Sequence, residues 1–399
     1  MASKRIAIVS RETKENNMIY FDNAATTYPK PESVYEAVNK CMREYCANPG
    51  RSGHKLSMEA GRAILEAREL LAELFGAKKS ENIIFGSNAT DGLNTAIKGI
   101  VKQGDHIVTT SMEHNSVLRP LKQLESIGIE TTIIRCSESG ELNLKELETN
   151  IKSNTKAIVT CHASNVTGTI MPIKEIGEIA NKHKLLYIID AAQTAGVYKI
   201  NVLDINVDVL IFTGHKGLMG PQGVGGFYIK EKVVLRQMKE GGTGSMSESL
   251  FQPEILPDKY ESGTPNTPGL AGLAAGLKFI NEVGMDKIKG HEEELTNYFL
   301  NQLSKIDDII IYGPRDIKKQ APVVSVNIKG KTSSEVSFML DNQFDIATRP
   351  GLHCAPLAHQ TIGTREKGAI RFSFGYFNTM DEIDKAVEAL KYIAKEECF

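Results

Sequence analysis

Between about residues 80 and 230 the chain alternates short apolar runs with stretches of helical period. The runs 83-IIF-85, 106-HIVTT-110, 131-TTIIR-135, 156-KAIVTCH-162, 185-LLYIID-190, 208-DVLIF-212 and 226-GFYI-229 are strand-sized. Amphipathic helical patterns lie between them near 91–102, 115–127, 143–151 and 173–183. Continuously apolar strands separated by helices predict a mostly parallel sheet covered on both faces. In such sheets ligands bind beyond the carboxyl ends of the strands. The unusual polar residues cluster at those ends: Ser87 to Thr90, His114, Asn165, Asp190, Gln193, and Thr213 to Lys216.

The stretch 241–269 is rich in Gly, Ser and Pro, has little period, and is long for a passive connector, which marks a functional loop. A helical pattern at 270–283 follows. A second unit then reads as helix 286–304, strands 308-DIIIY-312 and 322-PVVSVNI-328, helix 333–341, strand 369-AIRFSF-374 and helix 380–394. The expected fold is α/β, with a large domain over 19–281 and a smaller α+β C-terminal domain over 282–399. The core-like pattern starts abruptly at 18-MIYFDNAATT-27, so residues 1–18 read as an N-terminal extension and Met18 suits a natural start.

Composition narrows the classes. Of 399 residues, 41% are hydrophobic and 24% charged, a globular balance that excludes disorder and coiled coil. Lys+Arg is 47 and Asp+Glu 49, so no basic field exists to hold nucleic acid or an anionic membrane. No apolar run approaches the roughly 18 residues that span a bilayer. The patch 6-IAIV-9 is shorter than the about 7–15 apolar residues of a secretory signal, so none is expected. Cysteines 41, 46, 136, 161, 354 and 398 form no C-x-x-C pair and no Cys/His metal spacing. That pattern predicts a reducing, cytoplasmic setting without a disulfide framework or a metal site.

Three segments carry candidate chemistry. In 213-TGHKGLMGPQGVGGFYI-229 a Lys directly follows a strand and precedes a glycine-rich run. That place suits a Schiff-base lysine, and equally a surface Lys before a glycine turn. It is no P-loop, where the glycines precede the Lys. In 185-LLYIIDAAQTAG-196, Asp190 ends a buried strand, where it needs a cationic or donor partner; an Asp there also suits a helix N-cap. Asp190 and Lys216 at neighbouring strand ends match what pyridoxal 5′-phosphate needs, an anionic partner for its pyridinium and an amine for its aldehyde. The strand–turn–helix 85-FGSNATDGLNTAIKG-99 offers a helix N-terminus for the phosphate.

Taken in order, 20-YFDNAATTYPKP-31, 112-MEHNS-116, 164-SNVTGT-169, 190-DAAQ-193, 214-GHK-216, 262-SGTPN-266 and 349-RPGLHCAP-356 resemble the cysteine desulfurases. These are pyridoxal-phosphate enzymes of the class V aminotransferase family, with fold type I. The likeness runs from about residue 19 to 395, and the span from Cys354 to Arg371 resembles the branch shared with selenocysteine lyases. The resemblance implies that Lys216 binds the cofactor aldehyde and later moves the substrate Cα proton. Asp190 pairs with the pyridine nitrogen, Gln193 bonds the phenolic oxygen, and His114 stacks on the ring and assists proton transfer. The Ala89–Thr90 turn, Thr213 and His215 hold the phosphate, with Thr264 reaching in from the partner of a homodimer. Asn165 and Arg349 lie near the substrate, and Arg371 binds its carboxylate in the bidentate geometry a guanidinium favours. Arg51 and His54 match a segment near the active site. Relatives often carry two hydroxyl residues where this chain has Ala89 and Thr90, and the 242–262 loop matches no familiar version.

Cys354 is implied as the sulfur acceptor. Its Gly/Pro-bounded loop, with His353 before it and Arg349 nearby, suits an exposed, activated thiol; a free Cys is also often a buried structural one. The other cysteines carry no such context and read as structural, Cys161 as core. The implied reaction converts L-cysteine to L-alanine with a persulfide on Cys354, later passed to an acceptor protein or small thiol. The alternatives are a selenocysteine lyase acting on L-selenocysteine, an aminotransferase or a C–S lyase.

Overall fold

The structure, a computed structural model, describes residues 18–50 and 53–396. Arg51, Cys398 and the N-terminal extension up to residue 17 lie outside the described residues. The chain begins with β1 (Ile19–Tyr20), α1 (Glu32–Lys40) and α2 (Lys55–Phe75). Strands and helices then alternate: β2 (Ile83–Gly86), α3 (Ala89–Ile100), β3 (His106–Thr110), α4 (Asn115–Glu125), β4 (Glu130–Ile134), α5 (Leu144–Thr149), β5 (Thr155–Cys161), α6 (Ile173–Lys182), β6 (Leu186–Asp190), β7 (Val209–Thr213) and β8 (Gly225–Ile229). These strands form one seven-stranded sheet in the order β2-β8-β7-β6-β5-β3-β4, parallel except for β8, which runs against both neighbours.

β3, β7 and β8 are buried along their whole length because both faces are covered, as their mostly apolar runs predict. One core lies between the sheet and helices such as α2 and α6, through Leu71, Phe75, Ile176, Ile189 and Phe212. A second lies on the other face, through Leu93, Ile97, Leu121, Val159 and Ile211 of α3, α4 and the sheet. Helix α3 starts two residues before the expected 91, because the Asn88 side chain accepts the Asp91 N–H at 3.0 Å and caps the helix there.

The irregular 241–266 segment leads into α7 (Thr267–Val283) and α8 (Met285–Leu303). The rest of the chain comprises β9 (Ile309–Tyr312), β10 (Val323–Ile328), α9 (Ser333–Phe344), β11 (Ile346–Ala347), β12 (Arg349–Gly351), α10 (Pro356–Thr361), β13 (Ala369–Ser373) and α11 (Met380–Lys395). A four-stranded antiparallel sheet runs β12-β13-β10-β9. The hydrophobic pattern assigns Ile19–Asp22 to the large unit, yet β1 pairs with β11, Asp22 bridges Ser373, and Phe21 is fully buried against Phe372 and Phe374. Burying an aromatic ring is worth about 1.5–3 kcal/mol, so this short apolar segment follows its packing partners rather than its sequence neighbours. Among the described residues no helix is long and apolar enough to cross a membrane.

Candidate active site

The carboxyl ends of β2, β3, β5, β6 and β7, together with the turn after β12, converge on one cavity of about 260 Å³. The residues after β2 are the N-terminus of α3, where Asn88, Ala89 and Thr90 line the cavity. First-turn N–H groups and the helix dipole make that a place for an anion. After β3 comes His114. Its Nδ1 accepts the Ser116 N–H at 3.1 Å, and the Ser116 hydroxyl, 2.9 Å from the same nitrogen, is 2.8 Å from the Thr90 hydroxyl. An N–H can only donate, so the proton of the neutral ring sits on Nε2. Burial, then the charge of Lys216, pushes His114 down to about 4.

Asp190 is the last residue of β6, buried, with Oδ1 accepting the Ala192 N–H at 2.9 Å. Burial raises its carboxyl, opposed by that N–H and by the charge of Lys216. Gln193, on the same turn, donates to the Ala24 carbonyl at 3.1 Å. Thr213 ends β7, and His215 and Lys216 follow it. Burial, then the charge of Arg371, pushes the Lys216 amine down to about 8. Thr213 Oγ1 and His215 Nδ1 are buried with no protein partner. Buried polar atoms are rarely left so, and here they line a cavity.

The C-terminal unit supplies the opposite wall. Arg371 on β13 is 1% exposed. Its Nη2 donates to Asp22 Oδ1 at 2.7 Å and its Nη1 to the Asn165 carbonyl at 3.1 Å, while its Nε has no partner. Asn165 is buried and donates to the His353 carbonyl at 2.7 Å. Cys354 is exposed on the cavity rim, with Arg349 Nη2 3.8 Å from its sulfur.

Two expected site residues stand apart. Thr264 is exposed and lines a different, larger cavity of about 390 Å³ beside the Arg68–Glu261 ion pair. His54 is exposed and caps α2, its Nδ1 accepting the Ser57 N–H at 3.2 Å. Among the other cysteines Cys161 is buried as expected, but Cys46, read as structural, is exposed.

Sequence reasoning missed the partners of these groups. Asp22, quoted only as part of a motif, is the counter-ion of Arg371. Lys30 was also missed. Its amine, pushed down to about 7 by burial, donates to Thr27 Oγ1 and, at 2.7 Å, to the His215 carbonyl. That carbonyl also accepts from the Thr27 N–H at 3.0 Å and the Thr26 hydroxyl at 3.1 Å, which clamps the turn holding Lys216. The only signal for both was a charged residue inside an otherwise apolar or hydroxyl-rich segment.

A family model described as Aminotransferase class-V matches residues 19–386. A probable cysteine desulfurase of Pyrococcus abyssi is 35% identical, with 95% of this chain and 94% of that protein covered. A probable cysteine desulfurase of Borreliella burgdorferi is 33% identical over 98% of this chain and 96% of that protein. The apo structure of a cysteine desulfurase from Thermococcus onnurineus NA1 matches with a TM-score of 0.92 at 35% identity, covering 99% of this chain and 100% of that one. The chain therefore belongs to the cysteine desulfurase family within aminotransferase class V.

Proposed function

We propose that the chain is a pyridoxal-phosphate-dependent cysteine desulfurase. L-cysteine and the Cys354 thiol become L-alanine and a persulfide on Cys354, with no external oxidant or reductant. One observation carries this reading: an amine of lowered basicity (Lys216), a buried carboxylate (Asp190), a buried guanidinium (Arg371) and an exposed thiol (Cys354) line a single cavity.

The cavity fits the cofactor. Thr213 Oγ1 and His215 Nδ1, both unpartnered, sit with the N-terminus of α3, a donor-rich set suited to a phosphate. Asp190 suits the pyridinium, whose positive charge would return its raised carboxyl to the anionic form. Gln193 and His114 complete the set around the ring. When bound, pyridoxal phosphate supplies an electron sink that eases loss of a substrate's Cα proton. Lys216 holds that group and carries the Cα proton. A lysine near 8 leaves about a tenth of its amine neutral at pH 7, far more than an ordinary lysine. Arg371 takes the substrate carboxylate through its unpartnered Nε–H and a second N–H of an Nη nitrogen, and Asn165 steadies it through the carbonyl bond. Arg349 offers a positive charge to the Cys354 thiolate as it attacks the substrate sulfur.

Thr264, exposed and not lining its own chain's cavity, suits a contact with the site of a second copy in a homodimer. The persulfide sulfur then passes to an acceptor protein or small thiol, in a reducing setting such as the cytoplasm, which suits a free, exposed Cys354.

The test is Cys354→Ala. The variant keeps the cofactor's visible absorbance, makes no alanine from L-cysteine, and gains no sulfur, whereas the wild-type Cys354 peptide gains the mass of one sulfur atom after cysteine treatment. Full alanine production by Cys354→Ala, with added sulfur found on Cys41, Cys46 or Cys398, overturns the reading. Pyruvate and ammonia in place of alanine would assign a C–S lyase instead.

A further inference from the structure

The turn that carries Cys354 has an unfavourable backbone. Gly351 has φ +100°, His353 +49° and Cys354 +56°, so two consecutive non-glycine residues occupy the left-handed region. Such a turn persists only where its surroundings over-determine it. Its backbone is pinned from the large unit, with Asn165 Nδ2 donating to the His353 carbonyl at 2.7 Å and the Asn115 N–H to the Cys354 carbonyl at 2.8 Å. Behind it lies a buried file of polar groups that the reaction does not use. His353 Nε2 is 2.9 Å from the Arg349 carbonyl oxygen, His353 Nδ1 is 3.0 Å from His359 Nε2, and His359 Nδ1 is 2.7 Å from Thr364 Oγ1. All three side chains are buried.

With both rings neutral, a single proton arrangement satisfies every contact. The Arg349 carbonyl only accepts, so His353 Nε2 carries the proton and His353 Nδ1 accepts. His359 Nε2–H must then donate, His359 Nδ1 must accept, and the Thr364 hydroxyl must donate. Burial keeps both rings neutral, with His353 held down to about 2 and His359 to about 4. Thr364 is 2% exposed, so the far end of the relay does not open to solvent. Its one output is the backbone of Arg349, the residue whose guanidinium lies 3.8 Å from the Cys354 sulfur.

We propose that His359, acting through His353, is a positioning residue for Cys354: the relay from Thr364 to the Arg349 carbonyl holds the left-handed turn that sets the thiol beside the Arg349 guanidinium. The proposal rests on the reading of Cys354 as the sulfur acceptor. A misplacement of about 1 Å at a reacting atom can cost up to about a hundredfold in rate, and binding of the substrate carboxylate by Arg371 is untouched.

The test uses holoenzyme carrying His359→Phe, which removes both ring bonds at similar volume, and His359→Gln, which returns an N–H donor toward His353. Alanine is measured from L-cysteine and from L-selenocysteine, whose selenium leaves more readily and depends less on thiolate attack. In His359→Phe, kcat on cysteine falls by about tenfold or more. KM and the cofactor absorbance stay unchanged, activity on selenocysteine is largely kept, and His359→Gln recovers most of the loss. Thr364→Val cuts the far end of the relay, shows the same split in smaller measure, and decides the matter if His359→Phe does not fold. An unchanged kcat in the folded variant, an equal loss on both substrates, or a Gln variant as impaired as Phe overturns the proposal. Cys354→Ala, run in parallel, separates the two claims. If it retains alanine production from cysteine, the sulfur-acceptor reading fails. If it is inactive while His359→Phe is intact, the relay alone fails.

Discussion

Arg371 Nη2 donates to Asp22 Oδ1 at 2.7 Å, so a carboxylate near the start of the described chain holds a guanidinium on β13. The two residues are 349 positions apart, and the guanidinium is almost fully buried. An arginine in that position needs a counter-charge before any substrate arrives.

Replacing Asp22 with Ala leaves that charge unpaired. The expected cost is about 3 kcal/mol of stability, read from the denaturant midpoint of the cofactor-free protein. A loss below about 1 kcal/mol would mean that Asn165 and solvent suffice. Asp22 also raises the Lys216 amine, so Asp22→Asn moves the pH midpoint of cofactor uptake downward.

Arg371→Ala raises KM for L-cysteine by about tenfold to a hundredfold, because a charge-assisted contact is worth roughly 1.5–3 kcal/mol. Steady-state alanine release checks this. Loss of cofactor with unchanged KM in the remaining holoenzyme would move Arg371 to a structural role.

Cofactor uptake by the cofactor-free protein is pH-dependent. The neutral amine of Lys216 is the reactive form, and its fraction grows as pH rises toward and past about 8. Visible absorbance followed after mixing with pyridoxal phosphate rises faster from pH 6.5 to 8.5 and then levels. A flat profile across that range would contradict the lowered amine. Lys216→Ala takes up no covalently held cofactor at any pH and makes no alanine.

Acid destabilises the fold through its histidines. Burial, the leading cause in each case, holds His114, His162, His215 and His359 at about 4 and His353 at about 2. In the unfolded chain they titrate near 6.5, so the unfolded state binds more protons between pH 4 and 6.5, and stability falls as pH drops through that window. Glu113 and Glu292, both pushed up to about 8 by burial, act in the opposite direction, since the folded carboxyls hold protons that the unfolded ones release. Asp190, raised by burial, acts with the glutamates, and His106, lowered by burial, with the histidines; the histidines are the larger group, so the melting temperature of the cofactor-free protein drops from pH 6.5 to pH 5. A rise on acidification would show that one or more of these rings is charged in the fold.

Much of this was legible in one dimension. The strands of the large sheet are legible as short, mostly apolar runs, because a strand covered on both faces buries nearly every side chain and takes a polar one only where it finds a partner or a ligand. β5, β6 and β7 pair side by side and parallel, which puts their carboxyl ends on one rim. Asp190 and Lys216 were readable for that reason: each directly follows such a run, and the rule about carboxyl ends brings them together. The resemblance to the family then supplied Arg371 and Cys354, which no local pattern could have joined to the other two.

What tertiary structure alone decided is everything that depends on chains meeting from a distance. Ile19–Asp22 joined the C-terminal unit, pairing with β11 and bridging Ser373, since a two-residue strand carries no periodicity and takes its place from packing. The Asp22–Arg371 pair, the clamp of Thr26, Thr27 and Lys30 on the His215 carbonyl, and the proton order of His353, His359 and Thr364 all rest on hydrogen bonds. A hydrogen bond is satisfied by position and direction, and a sequence records neither. The sequence by itself determined which residue types stand at the strand ends. Only the fold decided which of them touch, which are neutral, and which donors remain free to meet a ligand.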